Sequence, residues 1–159
     1  FDVDGTLADS MMVHLASWKL VGEKYGFYYT REDLERYAGM SGQEIVGVIS
    51  HKYGLQLDPD RISQEKEAAF LENLDQVKPI QPVVSVMKEY QGRLPIAAGT
   101  GGFRRVATKI LDSIGVLDKI DALVAADDVE KHKPHPDTFL ESAEALVVSA
   151  EHCLVFEDA

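Results

Sequence analysis

The spacing of the apolar residues changes once along the chain, near Pro79, and this change limits the available folds more than any other feature. Between Asp9 and about Asp75 apolar side chains recur at helical spacing, as in Val13, Trp18 and Val21, then Ile45, Val46 and Ile49. The stops inside this stretch are Gly26, the run Gly39-Met40-Ser41-Gly42, and Gly54 ahead of Asp58-Pro59-Asp60, where Pro59 suits a first helical position; four helices are predicted. From Pro79 onward short apolar runs alternate with amphipathic stretches. The pattern predicts helices over 82–90, 103–114 and 138–146, and strands over 94–98, 122–126 and 153–156. Short buried strands alternating with helices specify a parallel sheet covered on both faces, and Phe1–Val3 adds one more strand. The reading is an α/β fold: a Rossmann-like parallel-sheet core from residues 1–9 and 78–159, with an all-helical cap, residues 10–77, inserted after the first strand. The cap then lies over the carboxyl edge of the sheet, where open α/β sheets bind ligands. Phe1 opens almost directly on Asp2, and the chain stops just after a strand-like run at Leu154–Phe156, so it reads as truncated at both ends.

Charge and cysteine content narrow the function classes. Twenty-seven acidic against 16 basic residues give a formal net charge of −11, which argues against nucleic-acid or anionic-membrane binding, since both need a basic footprint. The single cysteine, Cys153, has no internal disulfide partner. No apolar run reaches the roughly 18–20 residues that span a bilayer. A cytoplasmic location is the default expectation.

Each candidate strand runs into residues suited to phosphoryl transfer. Asp2 and Asp4 are two apart, so on an extended backbone they point to one side, and Gly5 permits a turn directly after them. Paired carboxylates repel unless a cation sits between them, and Mg2+ takes such oxygen ligands while leaving room for phosphate. One carboxylate can attack phosphorus while the other handles the proton of the leaving oxygen or of water. The second strand enters Gly99-Thr100-Gly101-Gly102, a hydroxyl and backbone N–H groups beside a helix start, which favour a bound phosphate. The third precedes Asp127-Asp128 and Lys131-His132-Lys133-Pro134-His135-Pro136, where a lysine can neutralise charge on the attacking carboxylate and the phosphoryl group. The fourth ends in Glu157-Asp158, placed to complete a metal shell. Singly, each is an ordinary turn, cap or surface charge, with Asp137 an N-cap; a zinc site at His132 and His135 lacks a third ligand nearby. Their order on successive strands is what points to one chemistry.

These residues resemble the haloacid dehalogenase-like hydrolases, in the branch with a helical cap after the first strand. The family's four motifs stand in order as Asp2-Val3-Asp4-Gly5-Thr6, Thr100, Lys133-Pro134 and Glu157-Asp158. The resemblance implies that Asp2 is the nucleophile and Asp4 the general acid/base, with Thr100 and Lys133 holding the phosphoryl group. It implies that Asp2, the Asp4 backbone carbonyl and Asp158 ligate Mg2+, with Glu157 acting through water. Ala97–Gly101, Lys133–Phe139 and Val155–Ala159 look similar to fructose-1-phosphate phosphatase-like members, and the branch also holds β-phosphoglucomutases. The implied activity is Mg2+-dependent hydrolysis of a small phosphorylated metabolite, such as fructose 1-phosphate, through an aspartyl-phosphate. The alternative is a phosphohexose mutase; Thr6 and the Gly99-Thr100-Gly101 wording favour hydrolysis. A non-enzymatic phosphoacceptor module needs neither the second aspartate nor a cap. Gly101 and Gly102 are expected at the phosphate, and His14, one helical turn before Trp18, at the substrate. Ser41 and Gln43, in the cap loop Gly39–Gln43, offer hydrogen bonds but little charge, which suits a neutral polyol or sugar leaving group.

Overall fold

The computed structural model describes residues 1–158; Ala159, which closes the last acidic motif, lies outside them. The helical stretch leaves and re-enters the rest of the molecule through a two-residue antiparallel ladder. Its strands are β1 (Ala8–Asp9) and β2 (Lys78–Pro79), with Ala8 paired to Pro79 and Asp9 to Lys78. Between them stand four helices: α1 (Met11–Tyr25), α2 (Arg31–Arg36), α3 (Gly42–Tyr53) and α4 (Pro59–Leu71). Their ends are set by local chemistry. Gly26 adopts φ +80° and closes α1, its N–H donating to the Gly22 carbonyl. Thr30 with Asp33, and Ser41 with Glu44, form reciprocal capping boxes on α2 and α3, and Asp58 caps α4 ahead of Pro59.

The remainder comprises α5 (Gln81–Tyr90), β3 (Ala97–Gly99), α6 (Arg104–Ser113), β4 (Ala122–Val124) and α7 (Asp137–Ala145). Strands β3 and β4 pair in parallel, Ala97 with Ala122 through Gly99 with Val124. The sheet is narrower in regular pairing than the sequence suggests. Phe1 N donates to the Ala97 carbonyl at 2.9 Å, Gly99 N to the Phe1 carbonyl at 2.8 Å, and Asp2 N to the Phe156 carbonyl at 2.9 Å. Residues 1–3 therefore lie beside β3, and Phe156 beside residues 1–3, with the Phe1 and Phe156 rings stacked at 4.6 Å, yet neither 1–3 nor 153–156 forms a regular strand. The expected strand over 94–98 begins only at Ala97. Pro95 has no N–H to pair, Leu94 is exposed, and the Ile96 N–H goes to the Asp121 carboxylate. The expected strand over 122–126 stops at Val124, where a 3-10 turn at Ala126–Asp128 takes over. Helix ends shift by one residue, and Asp137 is the first residue of α7 rather than its cap.

Two apolar clusters hold the chain together. One unites Val3, Leu7 and Ala98 with Met87, Ile110 and Leu111, and it also takes in Val13 and Phe70 from the roots of α1 and α4. The other lies among the cap helices, around Trp18, Tyr29, Val46, Ile49 and Ile62. Among the described residues no helix is long and apolar enough to cross a membrane. Phe70 is fully buried and links the root of α4 to the α/β cluster. Phe70→Ala is expected to lower unfolding stability in urea titrations by about 3–5 kcal/mol; a loss under about 1 kcal/mol would contradict this packing.

Candidate active site

The backbone bonds that seat residues 1–3 between β3 and Phe156 carry Asp2 to the sheet edge beside Gly99, Thr100 and Glu157. Val3 is buried in the core, and its carbonyl accepts from both Leu7 N and Ala8 N, which folds the chain back at once. Gly5 sits in this turn at φ +89°, and a Cβ there would stand 2.2 Å from Asp158 Oδ2, so only glycine fits.

Asp2 is buried, and Lys133 Nζ donates to its Oδ1 at 2.5 Å. The same ammonium donates to Glu157 Oε1 at 3.0 Å and to the Gly99 carbonyl at 3.3 Å, and it lies over the Phe139 ring. Lysine has three N–H donors, and all three are engaged. Burial pushes the Asp2 carboxyl up to about 7; Lys133 opposes that shift, and Asp4 and Glu157 add to it. Burial also raises Asp158, helped by the charge of Glu157, while Thr6 donates to Asp158 Oδ1 at 3.1 Å. Asp2, Glu157 and Asp158 each offer a carboxylate oxygen, all within 4.8 Å of one another. This hard-oxygen set fits a divalent cation, whose charge would draw the Asp2 carboxyl back down.

The side chain of Asp4, expected to face a cation beside Asp2, is not among these three converging carboxylates. The Asp4 carboxylate is engaged elsewhere: Ser10 Oγ donates to its Oδ1 at 2.6 Å, His14 Nε2 lies 2.8 Å from the same oxygen, and Thr100 Oγ1 is 3.5 Å from Oδ2. Lys66 Nζ stands 2.6 Å from His14 Nδ1. An ammonium can only donate, so Nδ1 accepts and the ring proton sits on Nε2, facing Asp4. Burial and the nearby Lys66 lower His14, consistent with a neutral ring, and burial lowers Lys66 to about 8. Burial alone would raise Asp4, but His14, Ser10 and Lys66 outweigh it and hold the carboxyl well below its usual range.

Of the residues expected at the phosphate, Thr100 is buried and its Oγ1 accepts from Gly102 N at 3.0 Å. Three amides of the loop 99–102 are thus committed rather than open, since Gly99 N also donates to the Phe1 carbonyl and Thr100 N to the Val124 carbonyl. Gly101 and Gly102 line a cavity of about 110 Å3 together with Asp2, Asp4, His14 and Trp18. Gly101 packs closely against the helical stretch, since a Cβ there would lie 2.0 Å from the Gly39 carbonyl. Ser41 and Gln43 do not line this cavity. Ser41 is buried and spends its hydroxyl capping α3 with Glu44, and Gln43 reaches outward to Asp60. The same capping logic that starts α3 removes Ser41 from the site.

Three participants escaped sequence reasoning. Ser10 precedes α1 without capping it and binds Asp4 instead. Lys66 and Glu67 of α4 also line the cavity. A signal existed for Lys66: Ile62, Lys66 and Phe70 stand at i, i+4 and i+8, which puts a lysine on an otherwise apolar stripe.

Comparison with known proteins agrees with this geometry. Residues 1–159 match the family model of the haloacid dehalogenase-like hydrolases. The chain is a haloacid dehalogenase-like hydrolase. It is 39% identical over 160 residues to the fructose-1-phosphate phosphatase YqaB of Escherichia coli K12, covering all of this chain and 85% of that relative. It is 28% identical to the β-phosphoglucomutase of Bacillus subtilis 168, over all of this chain and 74% of that enzyme. Among solved structures, a hydrolase from Pseudomonas syringae superposes with a TM-score of 0.83 at 27% identity, over 94% of this chain and 70% of that one. This haloacid dehalogenase-like hydrolase is an enzyme of the phosphatase type. Gly101→Ala is expected to hold the Gly39 loop off the core and cut turnover of phosphate esters about tenfold or more, with helical content by circular dichroism retained. Turnover within about twofold of the parent would show that this contact is dispensable.

Proposed function

We propose that the chain is a Mg2+-dependent phosphatase of small sugar or polyol phosphates, with fructose 1-phosphate the leading candidate, acting through an aspartyl-phosphate on Asp2. The observation that carries the reading is the buried contact between Lys133 and Asp2 beside the carboxylates of Glu157 and Asp158. It joins a nucleophile, a charge-neutralising lysine and a cation-binding set at one point. Asp2, the Asp4 backbone carbonyl and Asp158 would hold the ion, with Glu157 acting through water. Bound Mg2+ would screen the phosphoryl charge from the attacking carboxylate.

In the first half-reaction a carboxylate oxygen of Asp2 bonds to phosphorus, the bond from phosphorus to the ester oxygen breaks, and Asp4 gives that oxygen a proton. Thr100 and Lys133 hold the phosphoryl oxygens. In the second, Asp4 takes a proton from water, which attacks phosphorus and frees Asp2. Asp4 stands ionised under the pull of His14, Ser10 and Lys66, which suits the second step. For the first it must carry a proton, so the His14 contact has to loosen while the ester is bound. Residues 10–77 act as a cap in this scheme. The cavity of about 110 Å3 is well below the roughly 300 Å3 at which small-molecule pockets begin, so the cap must move to admit a sugar phosphate.

A second reading is transfer of the phosphoryl group to another hydroxyl of the sugar. The close approach of Gly39 to Gly101 favours it, because retaining the phosphoryl group requires water to be kept out. The 28% identity to a β-phosphoglucomutase is compatible with it.

Phosphate release and product analysis over a panel of sugar phosphates with Mg2+ test both readings. Free phosphate is expected, and Asp2→Asn is expected to lower its release by about three orders of magnitude or more. An isomerised sugar phosphate without free phosphate would make the enzyme a mutase. His14→Gln removes a partner that orients the acid/base Asp4 and is expected to reduce kcat about 100-fold, the cost of misplacing a reacting group by about 1 Å, and to move KM far less. An unchanged kcat would remove His14 from the scheme.

A further inference from the structure

If the site cleaves phosphate monoesters, the cap wall of the cavity is where the leaving group lies, and the composition of that wall selects the substrate. Most of it is apolar or aromatic, including Trp18, Tyr29, Tyr37 and Met40. Among the described lining residues, the charged side chains contributed by the cap helices are Lys66 and Glu67, the His14 ring being neutral. Lys66 is committed to His14 and lies 5.6 Å from the Trp18 ring centroid and 5.4 Å from that of Phe70. It is not positioned as a receptor for a second anion.

Glu67 is different. It is 8% exposed and lines the cavity, and its Oε2 accepts from Arg105 Nη2 of α6 at 2.7 Å. That bond ties α4 of the cap to α6 of the core and restrains the side chain of a cavity-lining residue. A carboxylate has about four acceptor positions, so one guanidinium bond leaves capacity on the cavity wall. Hydroxyl groups are the donors that match a fixed acceptor of this kind, and a second phosphate or carboxylate would meet like charge in a confined space.

Resting on the phosphatase reading, we propose that Glu67 determines leaving-group specificity: its carboxylate accepts hydrogen bonds from the hydroxyls of a neutral polyol or sugar and rejects leaving groups that carry a second anionic group. Arg105 is the positioning residue that holds it.

The test measures kcat and KM of the Mg2+-loaded enzyme by phosphate release from four compounds. These are fructose 1-phosphate, fructose 1,6-bisphosphate, 6-phosphogluconate and p-nitrophenyl phosphate, each with the wild type and with Glu67→Gln. The wild type is expected to favour fructose 1-phosphate over the two compounds that carry a second anionic group by about tenfold or more in kcat/KM. Glu67→Gln is expected to shrink that preference and to lose about tenfold more on fructose 1-phosphate than on p-nitrophenyl phosphate, which has no hydroxyls, with the difference carried by KM. Equal losses on those two would reduce Glu67 to a structural tie with Arg105 and overturn the proposal. A wild type that prefers the bisphosphate or the gluconate would overturn it without any variant, so a poorly folded Glu67→Gln does not shield it. Phosphate release from none of the four by the folded wild type would strike the phosphatase reading itself, a distinct outcome that removes the basis for this one.

Discussion

The contact between Lys133 and Asp2 is the constraint on which the rest of the site depends. Both side chains are buried, and removing one partner of a buried pair typically costs about 3–5 kcal/mol, because the other charge is left unmatched. Lys133 meets part of its own desolvation through Glu157 and the Gly99 carbonyl, which fixes how β3 and residues 156–158 approach Asp2. Asp2, Glu157 and Asp158 bring three carboxylates together beside Lys133, a set of hard oxygens that suits a divalent cation. Burial, only partly opposed by Lys133, leaves the Asp2 carboxyl up at about 7, and it is a poor nucleophile at neutral pH when protonated. The lysine and a bound cation act in the same direction, toward the ionised form that attack on phosphorus requires.

The neighbouring aspartate is governed by a different set of partners. Asp4 lies two residues from Asp2, yet its carboxylate is held by Ser10, by His14 of α1 and, through His14, by Lys66 of α4. Two carboxylates so close in sequence are thus given separate surroundings, one organised by the sheet edge and one by the helical insertion. In the proposed mechanism that separation lets one serve as nucleophile while the other handles protons. Because His14 and Lys66 ride on the helices, the state of Asp4 is tied to where those helices sit. The approach of Gly39 to Gly101 and the bond from Arg105 to Glu67 link the same helices to the α/β part.

Much of this arrangement was legible in the sequence, for identifiable reasons. The change of period at Pro79, the glycine stops and Pro59 mark the helical insertion, since helix termination is local chemistry. The four motifs are legible because each sits at the end of an apolar run, where a parallel sheet converges its reactive side chains. The regular strands were over-read. Apolar runs at 1–3 and 153–156 indicate burial beside a sheet but not how many backbone bonds form, and Pro95 removes a donor from the run at 94–98. The cap contributions were mostly hidden. Ser41 and Gln43 look like substrate ligands by type, but Ser41 is consumed by a capping box and Gln43 points to Asp60. Lys66 and Glu67 act through pairings 52 and 38 residues away in sequence, with His14 and Arg105, and local pattern does not encode such contacts.

The central claim is that Asp2 carries the phosphoryl group. The most direct measurement is to quench the Mg2+-loaded enzyme in acid during turnover of a sugar phosphate and map the phosphorylated residue by mass spectrometry, after reduction with borohydride to convert the acyl phosphate to homoserine. The account requires the label at Asp2, building up within a single turnover and decaying as phosphate appears. A label at any other residue, or phosphate released with no modified Asp2 at any time point, would contradict it.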